Sequence, residues 1–372
     1  MAAEQLTAKE ALRPAPVIEA LPVRARISRP QPKGLPVINL SFNEMPFGPS
    51  TKVENAIADA AANANRYGEP SCRELRQALG EQNGLDPERI ICGNGSEELL
   101  DVIGRVFARP GDEILIPQYG YIQFPIVANR VGATLVRAAE RDYTTDVDAI
   151  LAAVTVRTKI VFLANPNNPT GTMVDEAELD RLADRLSPSV VLVIDLAYGE
   201  FAGPGYCDRV QALMADRDNV ITTRTFSKAY GLAGLRAGWC HAPEWMMPAL
   251  YAGRGMGTVN ALAQAAALAA LKDSEAVERN VAEIVSERDR VAGELSSLGV
   301  ETLPSRANFL LAKLPGKADP EKTEALVEHL FDEAGILVNR TREAGLEKFF
   351  RFSLSLREHN DLLIEQVARF IG

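Results

Sequence analysis

The sequence predicts an α/β protein with a mostly parallel central sheet covered by helices, followed by a smaller C-terminal α+β domain. From about residue 88, short apolar segments alternate with turns and amphipathic helical segments. The apolar segments are continuous rather than alternating, a pattern typical of parallel strands buried on both faces. At 372 residues the chain is also too long for one small core, so we expect two domains.

Five buried strands are predicted in the central region, each followed by a turn. They are Arg89–Cys92, Glu113–Ile116, Lys159–Ala164, Val190–Ile194 and Asn219–Thr223. The first strand leads through a Gly-Asn-Gly-Ser turn into a helical run over Glu97–Phe107. Strands that alternate with helices in this way predict a parallel sheet.

The last hundred residues change pattern. Helical sequence from Ala261 to Leu298 is too long for one compact strand–helix unit and predicts a bridge to the second domain. Strand-like segments at Asn308–Leu311 and Phe350–Leu356 then surround a helix near Glu321–Ala334. We therefore expect three parts: an N-terminal arm (1–36), a large domain (37–273) whose first residues also pack on the small domain, and a small domain (274–372).

Composition excludes several classes of function. The net charge of −10 argues against nucleic acid and anionic lipid as partners, so any anionic ligand needs a local site. The arm is rich in Ala, Pro and Arg without a continuous apolar run, so we expect no secretory signal and no membrane span there. The four cysteines form no CxxC pair, which favours reduced thiols in the cytoplasm and no metal site.

The segment Thr225–Arg236 carries the strongest chemical signal. Hydroxyls precede Lys228, an arginine follows eight residues later, and a glycine-rich run lies between them. An amine beside a pocket for a small anion suits an enzyme that holds a phosphorylated aldehyde as a Schiff base. Pyridoxal phosphate is the obvious aldehyde of this kind.

Four polar residues follow the ends of predicted strands or their turns, namely Ser96, Asn168, Asp195 and Lys228. Ligands of open parallel sheets bind beyond the carboxyl ends of the strands, so these residues are expected to converge on one crevice. A buried carboxylate at Asp195 would pair with a pyridinium nitrogen, and Tyr198 would reach a ring hydroxyl. The alternative is that Asp195 caps the next helix.

Other candidates each have a plain structural alternative. Ser96 follows Gly-Asn-Gly and could bind a phosphate or simply cap a helix. Asn168 lies in a segment that could be only a turn. Tyr119 could be a core residue or stack on a flat ring. From alternation alone, Arg351 is expected to be an exposed arginine. Neither a dinucleotide fingerprint nor a Walker A motif is present.

Taken together, these motifs resemble those of fold-type I pyridoxal-phosphate aminotransferases. The set consists of Gly93–Glu98, Asn165–Gly171, Asp195–Tyr198, Thr225–Arg236 and Arg351. The resemblance spans roughly residues 38 to 360 and is closer to the histidinol-phosphate aminotransferase group. That group is resembled by Asn43–Ser50, Arg66–Tyr67, Cys72–Arg76, Val259–Gln264 and Asn308–Leu311.

The resemblance implies a role for each residue. Lys228 would carry the cofactor and move a proton at the substrate α-carbon, while Asp195 would pair with the ring nitrogen. Tyr198 and Asn168 would bond the ring oxygen, and Tyr119 would stack on the ring. The phosphate would be held by Gly95, Ser96, Thr225, Ser227 and Arg236, joined by Tyr67 from the other subunit of a homodimer. On the substrate side the residues would be Arg351, Asn43 and Met45.

Departures from the family pattern concern the substrate side and leave the cofactor motifs intact. Leu196 replaces a usual Glu, Met45 a usual Asn or Tyr, and Met256-Gly257-Thr258 a usual Pro-Tyr-Asn. The leading hypothesis is an aminotransferase that uses a 2-oxo acid such as 2-oxoglutarate, with histidinol phosphate or an aromatic or related amino acid as donor. The alternatives are a decarboxylating, eliminating or cyclising enzyme with the same cofactor, and a non-catalytic small-molecule binder.

Overall fold

A computed structural model describes residue 18 and residues 34–316, 319–341 and 343–372. The predicted N-terminal arm therefore lies almost entirely outside the described residues. In chain order the strands are β1 (Ile38–Asn39), β2 (Ile90–Gly93), β3 (Glu113–Pro117), β4 (Thr134–Ala138), β5 (Glu140–Arg141), β6 (Thr144–Thr145), β7 (Thr158–Ala164), β8 (Val191–Asp195), β9 (Val220–Thr225), β10 (Gly238–His241), β11 (Glu301–Thr302), β12 (Phe309–Lys313), β13 (Ile336–Leu337), β14 (Asn339–Arg340) and β15 (Phe349–Ser353).

The helices alternate with these strands in the first two thirds of the chain. They are α1 (Thr51–Ala61), α2 (Arg73–Asn83), α3 (Ser96–Phe107), α4 (Gln123–Arg130), α5 (Val147–Ala153), α6 (Glu176–Arg185), α7 (Tyr206–Met214), α8 (Met247–Gly253), α9 (Ala261–Leu271), α10 (Ser274–Ser297), α11 (Pro320–Ala334) and α12 (Arg357–Ile371). In the described ranges, no helix is both long and apolar enough to span a bilayer.

Seven strands form the central sheet in the order β2-β10-β9-β8-β7-β3-β4. Neighbouring strands are parallel except β10, which runs antiparallel to both β2 and β9. The predicted α/β class and mostly parallel sheet are thereby confirmed. Strand β10 was not predicted, because Gly-Trp-Cys-His is short and follows the irregular glycine-rich segment.

The continuous apolar strands are explained by two cores, one on each face of the sheet. Along β7, Ile160 and Phe162 pack into one core while Val161 and Leu163 pack into the other. All four side chains are fully buried. Each such side chain stabilises the fold by about 1.5–3 kcal/mol relative to exposure. Helices on both faces therefore leave the strand ends as the place where polar groups can gather.

The C-terminal part is built on an antiparallel sheet with the order β11-β12-β15-β14. β1 pairs in parallel with β13, so residues just after the predicted arm pack beside this part of the chain. The long helical stretch consists of two helices, α9 and α10, which meet at residues 272–273. The domain boundary at residue 273 stays a prediction, since α10 contacts residues 199–202 as well as β11, β12 and α12.

Candidate active site

A cavity of about 460 Å³ lies where β7, β8 and β9 end. Their last residues, Ala164, Asp195 and Thr225, all line it. It is closed from the other side by residues 41–43 and by residues of β14 and β15. The predicted site residues that line it are Asn43, Ser96, Asn168, Asp195, Tyr198, Thr225, Ser227, Lys228, Arg236 and Arg351. The crevice predicted from the strand ends therefore exists, and it joins segments from both parts of the chain.

Asp195 is a buried carboxylate at the floor of this cavity. Only 2% of the residue is exposed, and the Thr223 hydroxyl donates a hydrogen bond to Oδ1 at 2.9 Å. The two residues are register partners on β8 and β9. Burial raises the pKa of Asp195 to about 6, although the hydrogen bonds from Thr223 and from the backbone N–H of Ala197 lower it. A cationic partner in the cavity would relieve this cost of burial.

Lys228 lines the same cavity as Asp195. Its ammonium donates to the carbonyl of Phe42 at 3.0 Å and lies 5.8 Å from the ring centroid of Tyr198. Burial, followed by the positive charge of Arg351, lowers the pKa of Lys228 to about 8. At mildly alkaline pH, Lys228 is therefore the neutral, nucleophilic amine in a substantial fraction of the molecules.

The turn between β2 and α3 brings a helix N-terminus to the cavity. Gly95, at φ 82°, is the N-cap of α3, so Ser96 is the first helical residue rather than the cap. No side chain caps this helix end, which leaves its backbone N–H groups available to an anion. Arg236 reaches the same place and donates to the Ser227 hydroxyl at 3.2 Å. It also donates to the carbonyl of Ala233 at 3.4 Å and forms an ion pair with Glu97 at 3.5 Å.

Tyr198 is held by two asparagines. The side-chain amides of Asn43 and Asn168 donate to its hydroxyl oxygen at 2.9 Å and 3.3 Å. Burial raises the pKa of Tyr198, so the phenol stays protonated and can donate its own hydrogen to a ligand oxygen. Asn43 adopts φ 55° and is fixed by its backbone N–H, which donates to the Ser353 hydroxyl.

Arg351 is buried, contrary to the expectation from alternation alone. The residue is 8% exposed, and its guanidinium donates to the Asn168 side-chain oxygen and to the carbonyl of Ser41. Its Nε has no partner. Alternation itself was predicted correctly, since Phe350, Phe352 and Leu354 pack in the core on the other face. The exposed-arginine reading failed because residues 41–43 cover this face of the sheet.

Four predicted residues do not line the cavity. Tyr119 packs on Tyr143 at 5.7 Å between ring centroids, and Tyr67 is fully exposed. Met45 packs, partly buried, against the core of the C-terminal part. Gly95 contributes backbone: a Cβ there would lie 2.5 Å from Nη2 of Arg236.

Tyr121 occupies the wall where Tyr119 was expected. It lines the cavity, and its hydroxyl donates to Glu97 at 2.6 Å. The clue in the sequence was the second tyrosine two residues further on. Other lining residues were not predicted as site residues, and they include Ser41, Phe42, Glu97, Ile122, Asn339 and Glu343.

A second cavity of about 790 Å³ lies between α10 and residues 200–208, and no predicted site residue lines it. Two buried arginines line it: Arg224 donates to Glu200 at 2.8 Å and to Asn83 at 2.6 Å, and Arg288 donates to Asp289 at 3.1 Å. No lysine is among the residues that line this larger space, whereas the smaller cavity combines an amine, a carboxylate and a helix N-terminus.

These groups fit pyridoxal phosphate. The cavity offers an amine for its aldehyde, a buried carboxylate for its ring nitrogen, and hydroxyls, a guanidinium and a helix N-terminus for its phosphate. Glycine keeps the phosphate end open, because a Cβ at Gly238 would collide with the backbone N of Ser96.

Comparison with known proteins supports the same assignment. The family model of Aminotransferase class I and II matches residues 36–369. A histidinol-phosphate aminotransferase of Ruegeria pomeroyi is 44% identical over 334 residues, which are 90% of this chain and 91% of that protein. One of Sphingopyxis alaskensis is 44% identical over 331 residues, covering 87% and 88%.

A solved structure is similar over nearly the full length. The crystal structure of histidinol-phosphate aminotransferase from Sinorhizobium meliloti in complex with pyridoxal-5'-phosphate superposes with a TM-score of 0.88. The two chains are 30% identical, and the match covers 97% of this chain and 98% of the other. The chain therefore belongs to the Aminotransferase class I and II family and is a pyridoxal-phosphate-dependent aminotransferase.

Proposed function

We propose that the enzyme moves an amino group between an amino donor and a 2-oxo acid such as 2-oxoglutarate. The donor would be histidinol phosphate, which the names of the relatives suggest, or an aromatic or related amino acid. One observation carries the proposal: Lys228, Asp195 and Arg351 line a single cavity. That combination provides a base, a partner for the cofactor ring and a binding group for the substrate anion.

The chemical step depends on Lys228. When bound, pyridoxal phosphate supplies an aldehyde carbon that takes up the amino group and a ring that accepts electrons from the substrate α-carbon. Lys228 would take the proton from the substrate α-carbon in one direction of the reaction and return it to that carbon in the reverse direction. Its pKa of about 8 suits both directions, since the amine gains and loses a proton easily near neutral pH.

The remaining cofactor residues would fix orientation. Asp195 would keep the ring nitrogen protonated, and Tyr198 with Asn168 would hydrogen-bond the ring oxygen. Ser96, Thr225, Ser227 and Arg236, with the backbone at Gly95, would hold the phosphate. We assign the stacking role to Tyr121 in place of Tyr119, because Tyr121 is the tyrosine of this segment that lines the cavity.

Arg351 would bind the anionic end of both substrates. Its guanidinium is buried and oriented by Asn168 and Ser41, while Nε remains unpartnered. A carboxylate that accepts hydrogen bonds from such a preoriented group is bound strongly and in one direction. Asn43 would support the site through Tyr198, and Met45 would act only by packing behind it.

For the assembly we propose a homodimer in the cytoplasm in which Tyr67 reaches the phosphate end of the partner's site. Tyr67 is 101% exposed in the single chain. Tyrosine is enriched at interfaces between proteins, which supports a contact of this exposed side chain with a second chain.

The proposal is tested with the holoenzyme and two variants of Lys228. Purified protein is given an amino donor and 2-oxoglutarate, and glutamate formation and the absorbance of the cofactor are followed. We expect Lys228→Ala and Lys228→Arg to lose on the order of 10³-fold or more in turnover, since neither can carry the proton. Release of carbon dioxide, or product without consumption of the oxo acid, would point to decarboxylation or another reaction instead.

A further inference from the structure

Residues 41–43 line the cavity on the side of the C-terminal part, and we call them the cover segment. Each of its residues forms a hydrogen bond with one functional side chain. The first two accept through their backbone carbonyls, and the third donates through its side-chain amide. The pairs are Ser41 with Arg351 at 2.8 Å, Phe42 with Lys228 at 3.0 Å, and Asn43 with Tyr198 at 2.9 Å. The position of the cover segment therefore affects the orientation of these functional groups.

The cover segment depends on other parts of the chain for its conformation. It begins after β1 ends at Asn39 and belongs to no helix or strand. Asn43 adopts φ 55°, in the left-handed region that is unfavourable for residues with a side chain. Such a conformation persists only where the surrounding structure fixes it. The contacts that hold the segment are therefore part of how the site is built.

Ser353 on β15 bonds both ends of the cover segment. Its backbone N–H donates to the carbonyl of Leu40 at 2.8 Å, and its hydroxyl donates to the same carbonyl at 2.9 Å. The hydroxyl also accepts from the backbone N–H of Asn43 at 2.8 Å. One hydroxyl thus joins the residue before the segment to the last residue of the segment.

Ser353 itself stays behind the site. The residue is 2% exposed and is not among those that line the cavity. It follows Arg351 by two positions on β15, so both side chains lie on the face of the strand that the cover segment covers. Its hydroxyl can therefore act on a ligand in the cavity only through other residues.

A second side chain supports the segment but does not replace this hydroxyl. The side-chain amide of Asn308 donates to the carbonyl of Asn43 at 3.1 Å, which leaves the N–H of Asn43 to Ser353. Asn43 is 1% exposed, so without the hydroxyl its N–H would be buried with no acceptor. A buried donor without a partner is unfavourable, and the segment is expected to shift until this N–H meets water or another acceptor.

We propose that Ser353 is a positioning residue for transamination, and that it acts by holding the cover segment. Through this segment it orients Arg351 toward the substrate anion and Tyr198 toward the cofactor ring. The inference deepens the proposed function, since it takes from it the roles of Arg351 and Tyr198.

Ser353→Ala removes the hydroxyl and keeps the backbone bond of β15 to Leu40. We expect the KM for 2-oxoglutarate to rise at least about fivefold with a smaller change in kcat, because a misoriented Arg351 weakens ground-state and transition-state binding alike. We also expect the dissociation constant of the cofactor-free protein for pyridoxal phosphate to rise at least about threefold, because Tyr198 loses a fixed partner. Steady-state glutamate formation gives KM and kcat, and fluorescence titration gives the dissociation constant.

Thr323→Val is the matched control for loss of a buried hydroxyl. Thr323 on α11 is 1% exposed, and its hydroxyl donates to the carbonyl of Lys348 at 3.1 Å, in a part of the chain that does not line the cavity. Both variants should lower the midpoint of urea unfolding, since each leaves a buried backbone group without its partner. Only Ser353→Ala should also change the KM and the dissociation constant, which a purely structural role would not do.

Arg351→Lys separates this inference from the function on which it rests. It keeps the charge but removes the planar fork of donors, so the KM for 2-oxoglutarate should rise at least about tenfold. If that KM stays unchanged, the proposed substrate role of Arg351 is wrong, and the inference falls with it. If Arg351→Lys raises the KM while Ser353→Ala matches Thr323→Val in KM and in cofactor affinity, only the positioning by Ser353 is wrong. A rise of either constant in Ser353→Ala beyond that in Thr323→Val supports it.

Discussion

At the scale of single residues, burial in one cavity shifts the pKa values of an acid, Asp195, and an amine, Lys228, in opposite directions. Burial raises the pKa of the acid to about 6 and lowers that of the amine to about 8. In both cases the neutral form gains, because a charge in the cavity lacks water. The cavity is therefore costly for the protein alone and favourable for a ligand that brings complementary charges. Such groups are commonly found at catalytic sites.

The cost at Asp195 is measurable in the cofactor-free protein. Its pKa of about 6 in the folded state lies above the value near 3.9 of an unfolded chain. Below both values the two states hold the proton equally, and no cost exists. As pH rises between these two pKa values, Asp195 releases its proton only in the unfolded state, so the free energy of unfolding falls. Above about pH 6 the full cost is present, on the order of 3 kcal/mol.

We therefore expect Asp195→Asn to stabilise the cofactor-free protein at pH 8, by up to about 3 kcal/mol, and to change little at pH 4. Urea unfolding at the two pH values measures this through the transition midpoint. Asp332→Asn, at an exposed position of α11, is the matched control and should shift neither midpoint. An Asp195→Asn protein that is less stable than wild type at both values would show that burial does not penalise this carboxylate.

How far the site could be predicted depends on the kind of position each residue holds. Asp195 and Lys228 were predictable because buried strands and the segments after them are visible in the sequence. The choice between Tyr119 and Tyr121 was not predictable, because the chain turns after β3 and the path of this turn decides which of the two rings faces the cavity. Asn339 belongs to a two-residue strand, and its side of the sheet is set only by pairing with β15.

At the scale of elements, the turn from β2 into α3 has the clearest physical role. It places the uncapped N-terminus of a helix next to Arg236, and Gly95 permits this through its positive φ. The same reasoning explains which elements could be predicted. Strands β7 and β8 carry continuous apolar runs because both faces are covered, whereas the edge strand β4 is only partly buried and has no such signal.

Gly95→Ala tests this turn. The new Cβ would lie 2.5 Å from Nη2 of Arg236, so the guanidinium would have to move out of the phosphate end. Gly111→Ala is a matched control, because Gly111 also has a positive φ, of 95°, with nothing within 4 Å of its Cβ. Both variants should lose about 1 kcal/mol of stability from backbone strain.

The difference between these variants should appear in cofactor binding. We expect Gly95→Ala to raise the dissociation constant for pyridoxal phosphate at least about tenfold, as for one lost charge-assisted contact. Gly111→Ala should bind the cofactor like the wild type. Fluorescence titration of the cofactor-free proteins gives both constants. Equal affinities in the two variants would show that the β2–α3 turn does not take part in phosphate binding.

At the scale of the whole molecule, the cavity is formed by segments that are far apart in the chain. Residues 41–43, the strand ends of the central sheet and Arg351 all meet there. Tyr67 contributes nothing to this cavity within one chain, and its side chain is fully exposed. Truncating it should therefore have no effect on the site of an isolated chain. Any loss of activity in Tyr67→Ala would require contact with a second copy.

Complementation between inactive chains tests the shared site directly. Suppose that each site combines Lys228 of one chain with Tyr67 of the other. A hybrid of Lys228→Ala and Tyr67→Ala chains then has one site with both lesions and one intact site. Random pairing on co-expression makes half of the dimers hybrids, so about a quarter of wild-type activity should return.

The control pairs Lys228→Ala with Asp195→Asn, two changes that fall in the same cavity of one chain. Every site of that hybrid keeps one lesion, so no activity should return. Recovery is measured as glutamate formation per amount of protein in the unseparated mixture, and the hybrid isolated by two affinity tags should show about half of wild-type activity. If the Tyr67 hybrid stays as inactive as the control, Tyr67 does not act across an interface. If both hybrids recover, the chains exchange whole segments, and the site is not divided between subunits in the way proposed.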